Sequence, residues 1–499
     1  MINRIYNLWN TKPLLVILII AAFFRLISAI LSKGYAMSDD HFVVIEVAQN
    51  WIDGDFAVFE KGKASAHSIV YPGLHYLLFY LLAKIQITDP QIKMLIVRLI
   101  HAIYSMLIVW MGYLITQKLS DEKTAKKVGL ILALFWILPF MSVRNLIEVV
   151  CIPPAMIAIY LAIRGDESGR MKWWILAGAM FGLSFAFRYQ MSLMILGVGI
   201  VLLFQKKMKP LIIFSVGFLS GAFIFQGIVD WISWGYPFAS FHSYLTYNIE
   251  HRYDYLVGPW YLYIGLLLSV FIPPISILLG YGFLRAWKRY TLIFIPTALF
   301  LIFHSYFPNK QERFILPILP FFTILGIIGW DEFIKNSAFW EKRKKFLRGF
   351  WVWFWVINSI LLLIVSPTYS KKNRVETLYY LSNKDDVNSI IIESVQSKVP
   401  LPPRYYLNKQ VDIYFYPQGK SWEQLLNEID ENKGTFPNYI IMLGKKGIDE
   451  RLSKFKSDFS VELDFMKKIN PSLIDDILYQ MNPQYNVNQT SYIYKINKR

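Results

Sequence analysis

Residues 13–32, 95–116, 128–143, 149–163, 210–229, 261–283 and 290–303 of this chain are apolar runs almost without charge. No other feature limits the fold as strongly. In hydrocarbon a backbone has to satisfy its own N–H and C=O groups, which leaves helices and closed barrels. A helix needs about 20 apolar residues to cross a bilayer core about 30 Å thick. Runs of this length and composition predict membrane-spanning helices. The composition agrees: 55% of residues are hydrophobic and 17% charged, against about 25% charged in soluble proteins. The first run has no small-residue cleavage site and reads as an uncleaved signal anchor.

The formal net charge of +17 gains its meaning from where the lysines and arginines fall. Segments 117–127, 164–173, 205–210, 284–290 and 331–349 hold four, three, three, three and six of them. Basic loops of a polytopic protein face the cytoplasm. That pattern accounts for the charge without nucleic acid. It also decides the stretch 69–88, which contains Pro72, Gly73 and His75. A crossing there would turn every later basic loop outward, so it is expected to lie on, or dip into, the outer surface. The expectation is about eleven spans, with the N-terminus inside and the C-terminus outside. Residues 1–366 form the transmembrane domain, and 34–94 form a first outer loop with surface helices. The single cysteine, Cys151, rules out an intrachain disulfide, and the seven histidines show no metal-ligand spacing.

Residues 367–499 alternate in character. Segments 388–394, 411–417, 438–444 and 491–497 read as strands; 421–432, 447–455 and 472–481 read as helices. The expectation is a soluble extracytoplasmic α/β domain, without a glycine-rich nucleotide fingerprint.

With this topology the unusual polar residues share the outer face. Asp39 and Asp40 follow span one, and Glu46, Glu60, His67 and Ser68 lie in the same loop. Arg144, Asn145 and Glu148 mark one outer turn, Arg188 and Gln190 the next. Asn248 and Trp260 lie in the loop 231–259 and at its edge; Asn309, Lys310 and Arg313 precede the tenth span. Charges beside hydrocarbon are functional candidates. Arginine and lysine suit a lipid phosphate, and a carboxylate suits removal of a proton from a hydroxyl. Asp53-Gly54-Asp55 resembles the acidic pair that binds metal in nucleotide-sugar enzymes and also reads as an ordinary turn, which is the favoured reading.

This set of residues resembles the Alg9-like mannosyltransferases. The resemblance runs over roughly residues 20–330. It rests on Ser38-Asp39-Asp40-His41-Phe42 with Glu46, on Phe59-Glu60 and His67-Ser68 before Tyr71-Pro72, and on Arg144-Asn145 with Glu148. Phe187-Arg188-Tyr189-Gln190, Tyr247-Asn248, Gly258-Pro259-Trp260-Tyr261 and Asn309-Lys310-Gln311-Glu312-Arg313-Phe314 complete it. The family has His and Glu where Asn309 and Gln311 stand, Arg at His67 and Trp at Phe59.

The resemblance implies a GT-C-like fold and a sugar moved from a polyprenyl-phosphate donor to a glycan or lipid acceptor, with inversion and no cofactor or metal. Asp39, with Asp40 as the alternative, is the expected base. Lys310, Arg313, Arg144 and Arg188 are the expected phosphate ligands. Glu46, Glu60, His67, Ser68, Asn145, Glu148, Gln190, Asn248, Trp260 and Asn309 are the expected substrate contacts. Membrane lipids are the other expected partners. The Lys, Asn and Ile content favours a bacterial inner membrane over the endoplasmic reticulum. The rival reading is a lipid or glycolipid flippase. No internal repeat supports that reading.

Overall fold

The computed structural model describes residues 2–60, 64–397, 399–431, 436–483 and 486–498, the side chains of 2–6, 60 and 498 excepted. The chain divides into two compact units. One comprises residues 1–30, 50–78 and 97–367; the other comprises 31–49, 79–96 and 368–499.

The first unit is helical. Among the described residues, Pro13–Leu31, Pro90–Leu119, Ile147–Ser168, Met208–Trp234, Glu312–Lys335 and Lys344–Val365 are long and apolar enough to cross a membrane. Leu262–Val270 and Ile275–Lys288 make a seventh if the bent pair is one span. Met171–Phe187, Tyr189–Phe204 and Thr291–Tyr306 are shorter apolar helices. The sequence expectation of eleven counted these shorter helices and the run 128–143. The stretch 69–88 contains the 15-residue helix Val70–Lys84.

Two apolar runs that read as single spans are broken. The run 128–143 ends one helix at Leu134, goes extended at Phe135 and restarts at Leu138. The exposed backbone groups find partners inside the protein, as hydrocarbon requires. The Arg25 guanidinium donates to the carbonyls of Leu132 and Ala133, each at 3.2 Å. The Asn358 amide donates to Leu134 O at 2.8 Å, and its carbonyl accepts from Trp136 N at 3.0 Å. The run 261–283 bends by 120° between Leu262–Val270 and Ile275–Lys288. Pro273 and Pro274 fill that joint and offer no N–H to continue a helix.

Close crossings are made by glycine. Gly178 and Gly182 on Met171–Phe187 face Gly217 and Gly221 on Met208–Ala222, so backbone meets backbone; a Cβ on Gly182 would lie 2.6 Å from Gly221 C. Both helices carry small-x-x-x-small spacing, which suits helix contact where apolar burial gives no drive. Gly282 meets Gly326 and Gly329 in the same manner. The helix Leu319–Lys335 is buried at every position from Leu319 to Asp331, as expected of a helix apolar on all sides at the centre of a bundle.

The second unit holds a five-stranded sheet, β1 (Ser389–Ser394), β2 (Asp412–Pro417), β3 (Tyr439–Leu443), β4 (Val461–Ile469) and β5 (Ser491–Lys498), in the order β2-β1-β3-β5-β4. β1 pairs parallel with β2 and β3; β5 pairs antiparallel with β3 and β4. Trp422–Glu431, Ile448–Phe459 and Leu473–Met481 are its helices from the predicted segments. The sequence reading lacked β4 and the helix Lys372–Ser382. β4 is an edge strand with a register shift between Phe465 and Lys467, which breaks the alternation that reveals strands. Ile391, Tyr414, Leu425, Ile440, Met442 and Phe455 are in its core.

Candidate functional site

In the first unit, Glu148 is the meeting point of two buried arginines. Its carboxylate pairs with Arg188 and lies 3.3 Å from Arg313 Nε. Glu148 comes from the short helix Ile147–Val150, Arg188 from the extended residue that ends Met171–Phe187, and Arg313 from the 3-10 turn Glu312–Ile318. Each stands at a helix interruption, where a side chain can leave the bundle's regular packing. Glu148, Arg188 and Arg313 are all less than a tenth exposed. Arg188 Nη2 also donates to Phe314 O at 3.4 Å, while its Nε has no acceptor among the described residues. A buried guanidinium N–H without an acceptor is a rare arrangement and matches a site for an anion.

The ring of Phe314 forms a floor under these groups. Its centroid is 5.4 Å from the Arg188 guanidinium carbon, 5.9 Å from that of Arg313 and 6.0 Å from the His304 ring. His304 Nε2, on the ring beside Phe314, is an acceptor unfilled among the described residues, and so is the buried Asn309 Oδ1. Tyr244 feels the charges of Arg188 and Glu148 and accepts a hydrogen bond from the Gln190 amide. Arg144 is buried, with its guanidinium 4.3 Å from the Phe140 ring centroid. Asn145 beside it hydrogen-bonds to His75.

Lys310 is placed differently from the sequence expectation. Its ammonium donates to the carbonyls of His304 and Ser305, each at 2.6 Å, and of Phe307 at 2.5 Å. These carbonyls close the end of the helix Thr291–Tyr306. An ammonium has three donors, and all three serve this helix end. Lys310 is therefore a C-terminal cap of this helix. Burial lowers its pKa from the ordinary lysine value.

The remaining expected contacts of this unit are scattered. Ser68 Oγ donates to Gln226 Oε1 at 2.7 Å, and His67 N donates to Ser65 Oγ at 3.1 Å. Asn248 returns its amide to Tyr244 O of its own helix at 2.9 Å, and Trp260 is exposed. Glu60 ends the short helix Ala57–Glu60, and its side chain lies outside the described residues. Sequence reading assigns no role to Tyr244 or the buried Asp230, and Phe314 enters it only as the end of the stretch Asn309-Lys310-Gln311-Glu312-Arg313-Phe314. Asp230 accepts from Gln226 Nε2 at 2.8 Å and from Ser240 N at 3.0 Å. An acid directly after the apolar run 210–229 was the available signal for it.

The second unit holds the two candidate bases. Asp40 is buried, and its carboxylate accepts from Ala36 N at 3.0 Å and Met37 N at 3.1 Å. Asp39 is half-buried on the same short helix, Ser38–Phe42. His41 is stacked between Tyr35 and Tyr406, with ring centroids 4.7 and 5.4 Å away, and shares a 3.0 Å hydrogen bond with Glu46. Glu46 accepts from Tyr405 N with both oxygens, at 2.9 and 3.1 Å. These bonds make Glu46 an anchor within this unit. Burial raises the Tyr35 pKa, and the positive charge of Arg374 opposes the rise.

The sequence profile of the Alg9-like mannosyltransferase family matches residues 16–393. Mannosyltransferase APTG1 of Arabidopsis thaliana is 25% identical over 448 residues, covering 82% of this chain and 78% of the relative. GPI mannosyltransferase 3 of Yarrowia lipolytica is 22% identical, covering 80% and 76%. Among solved structures, ArnT from Cupriavidus metallidurans bound to undecaprenyl phosphate is similar in fold. Its TM-score is 0.59 at 11% identity, with 97% of this chain and 98% of that chain covered.

Proposed function

Because this chain belongs to the Alg9-like mannosyltransferase family, we propose that it is a multi-pass membrane glycosyltransferase that moves mannose from a polyprenyl-phosphate donor to a glycan or lipid-linked acceptor. The proposed face is the one away from the cytoplasm, in a topology of eleven crossings. One observation carries the reading: Arg188 and Arg313 converge, buried, on Glu148, and Arg188 Nε still lacks an acceptor among the described residues. The donor phosphate is a diester with one charge. When the anomeric C–O bond breaks, it becomes a monoester and gains charge. Guanidinium groups fixed in a water-poor site favour that gain.

In the proposed displacement, the acceptor oxygen forms a bond to the anomeric carbon as polyprenyl phosphate leaves from the opposite side. The sugar is therefore inverted. The hydroxyl proton passes to a carboxylate, which we assign to Asp39. Asp40, on the same short helix Ser38–Phe42, is the alternative. Arg188 and Arg313 hold the leaving phosphate, with Arg144 beside the turn that carries Glu148. Lys310 has no part in phosphate binding.

The test is transfer in reconstituted vesicles, with radiolabelled mannosyl-phosphoryl-polyprenol as donor and extracted lipid-linked glycans as acceptor. Arg188→Met is expected to cut the rate by about 100-fold or more, and Asp39→Asn to cut it comparably. Transfer at the unsubstituted rate by both variants would sink the reading.

A further inference from the structure

His304 is a buried imidazole with one nitrogen unused. It lies on the helix Thr291–Tyr306 and is 3% exposed. Its Nδ1 is 2.8 Å from Phe300 O. A carbonyl can only accept, so Nδ1 carries the hydrogen, and Nε2 of the neutral ring presents a bare lone pair. No described residue donates to it. Three aromatic rings pack around the imidazole. It stacks on Phe300 at 4.2 Å and 24°, meets Phe303 edge-on at 5.5 Å and packs 6.0 Å from Phe314.

Phe314 is the same ring that lies under Arg188 and Arg313. An unfilled acceptor therefore flanks the floor on which the two guanidinium groups sit. A phosphodiester carries no hydrogen and cannot fill it. A hydroxyl on a sugar attached to that phosphate can. We propose that His304 Nε2 accepts a hydroxyl of the sugar on the donor, and so helps to select which sugar is transferred. This inference rests on the lipid-phosphate donor proposed above. A site built to accept from a hydroxyl rejects the analogue that lacks it, because the buried acceptor is then left empty.

The test compares mannosyl-phosphoryl-polyprenol with its 2-, 3-, 4- and 6-deoxy analogues in the full-length protein and in His304→Phe. The unsubstituted protein is expected to lose at least about tenfold in kcat/KM at one position of the sugar. In His304→Phe that one penalty should fall to about twofold or less, with the penalties at other positions kept. Binding of polyprenyl phosphate, which has no sugar, should be the same in both proteins. Equal penalties at every position in the two proteins would overturn the role of His304 while leaving the donor reading intact. Failure of the unsubstituted protein to bind polyprenyl phosphate or to transfer label would overturn both. If His304→Phe does not fold, His304→Leu carries the same comparison and the same two outcomes.

Discussion

Lys310 and Arg313 stand three residues apart, carry the same charge and looked alike in the sequence. Their surroundings separate them. Lys310 Nζ is enclosed by three carbonyls at a helix end, whereas Arg313 lies at Glu148. Lys310→Met therefore leaves those carbonyls buried without a donor. A hydrogen bond to a charged group contributes roughly 1.5–3 kcal/mol, so the melting midpoint of the purified protein should fall clearly. Affinity for polyprenyl phosphate, measured well below that midpoint, should change less than about twofold, since a phosphate ligand would cost more than that. An unshifted midpoint with weakened phosphate binding would return Lys310 to the role the sequence suggested. Residue types and order are legible at this scale: Glu148, Arg188 and Arg313 all stand out in the sequence as charges at outer turns. Which cation was already engaged was not legible, because the engagement depends on where the preceding helix ends. Glu46 shows the same limit. It was marked for its charge, and its partner is a backbone N–H at Tyr405, more than three hundred positions away.

At the scale of elements, apolar runs announced helices well but did not announce their breaks. The interruption at Phe135 depends on Arg25 and Asn358, which lie far along the chain in both directions. No local pattern distinguishes such a run from an unbroken span. Close helix crossings were written in the sequence as Gly178-x-x-x-Gly182 and Gly217-x-x-x-Gly221, although their pairing needed the fold. The crossing predicts a sharp contrast between two glycines. Gly182→Ala puts a Cβ 2.6 Å from Gly221 C, so the helices have to separate. Overpacking of this kind costs about 1–3 kcal/mol. Gly280→Ala meets nothing within 4 Å and should be neutral, or stabilising by up to about 1 kcal/mol through helix propensity. Thermal or SDS unfolding of the two variants against the unsubstituted protein measures the difference. Equal midpoints for the two would mean that the glycine crossing does not hold these helices together.

At the scale of the molecule, the second unit is assembled from three separate stretches, 31–49, 79–96 and 368–499. The sequence reading treated 34–94 as one loop, because nothing in its composition changes where it divides. The attachments within this unit are specific. Ser370 N donates to Lys33 O at 3.1 Å, and Ser32 Oγ to Thr368 O at 2.8 Å. Tyr379 donates to Asp89 at 2.8 Å, Tyr405 OH to Pro90 O at 3.3 Å, and Tyr405 N to Glu46. Ending the chain at Pro367 would remove every one of these donors or acceptors on the C-terminal side. Segments 31–49 and 79–96 would keep their covalent links but lose the partners that order them. The segment carrying Asp39 should then open locally, and its cleavage by a soluble protease should rise by about tenfold or more, since a rise of that size needs only about 1.4 kcal/mol. Glu46→Leu in the full chain removes the acceptor of Tyr405 N and the partner of His41 Nε2, and leaves the other attachments in place. It should raise cleavage of 31–49 by a smaller factor and leave Lys344–Val365 intact. If 31–49 is equally protected in the truncated and full-length proteins, the tail is an appendage and not a structural part of the loop that bears the proposed base.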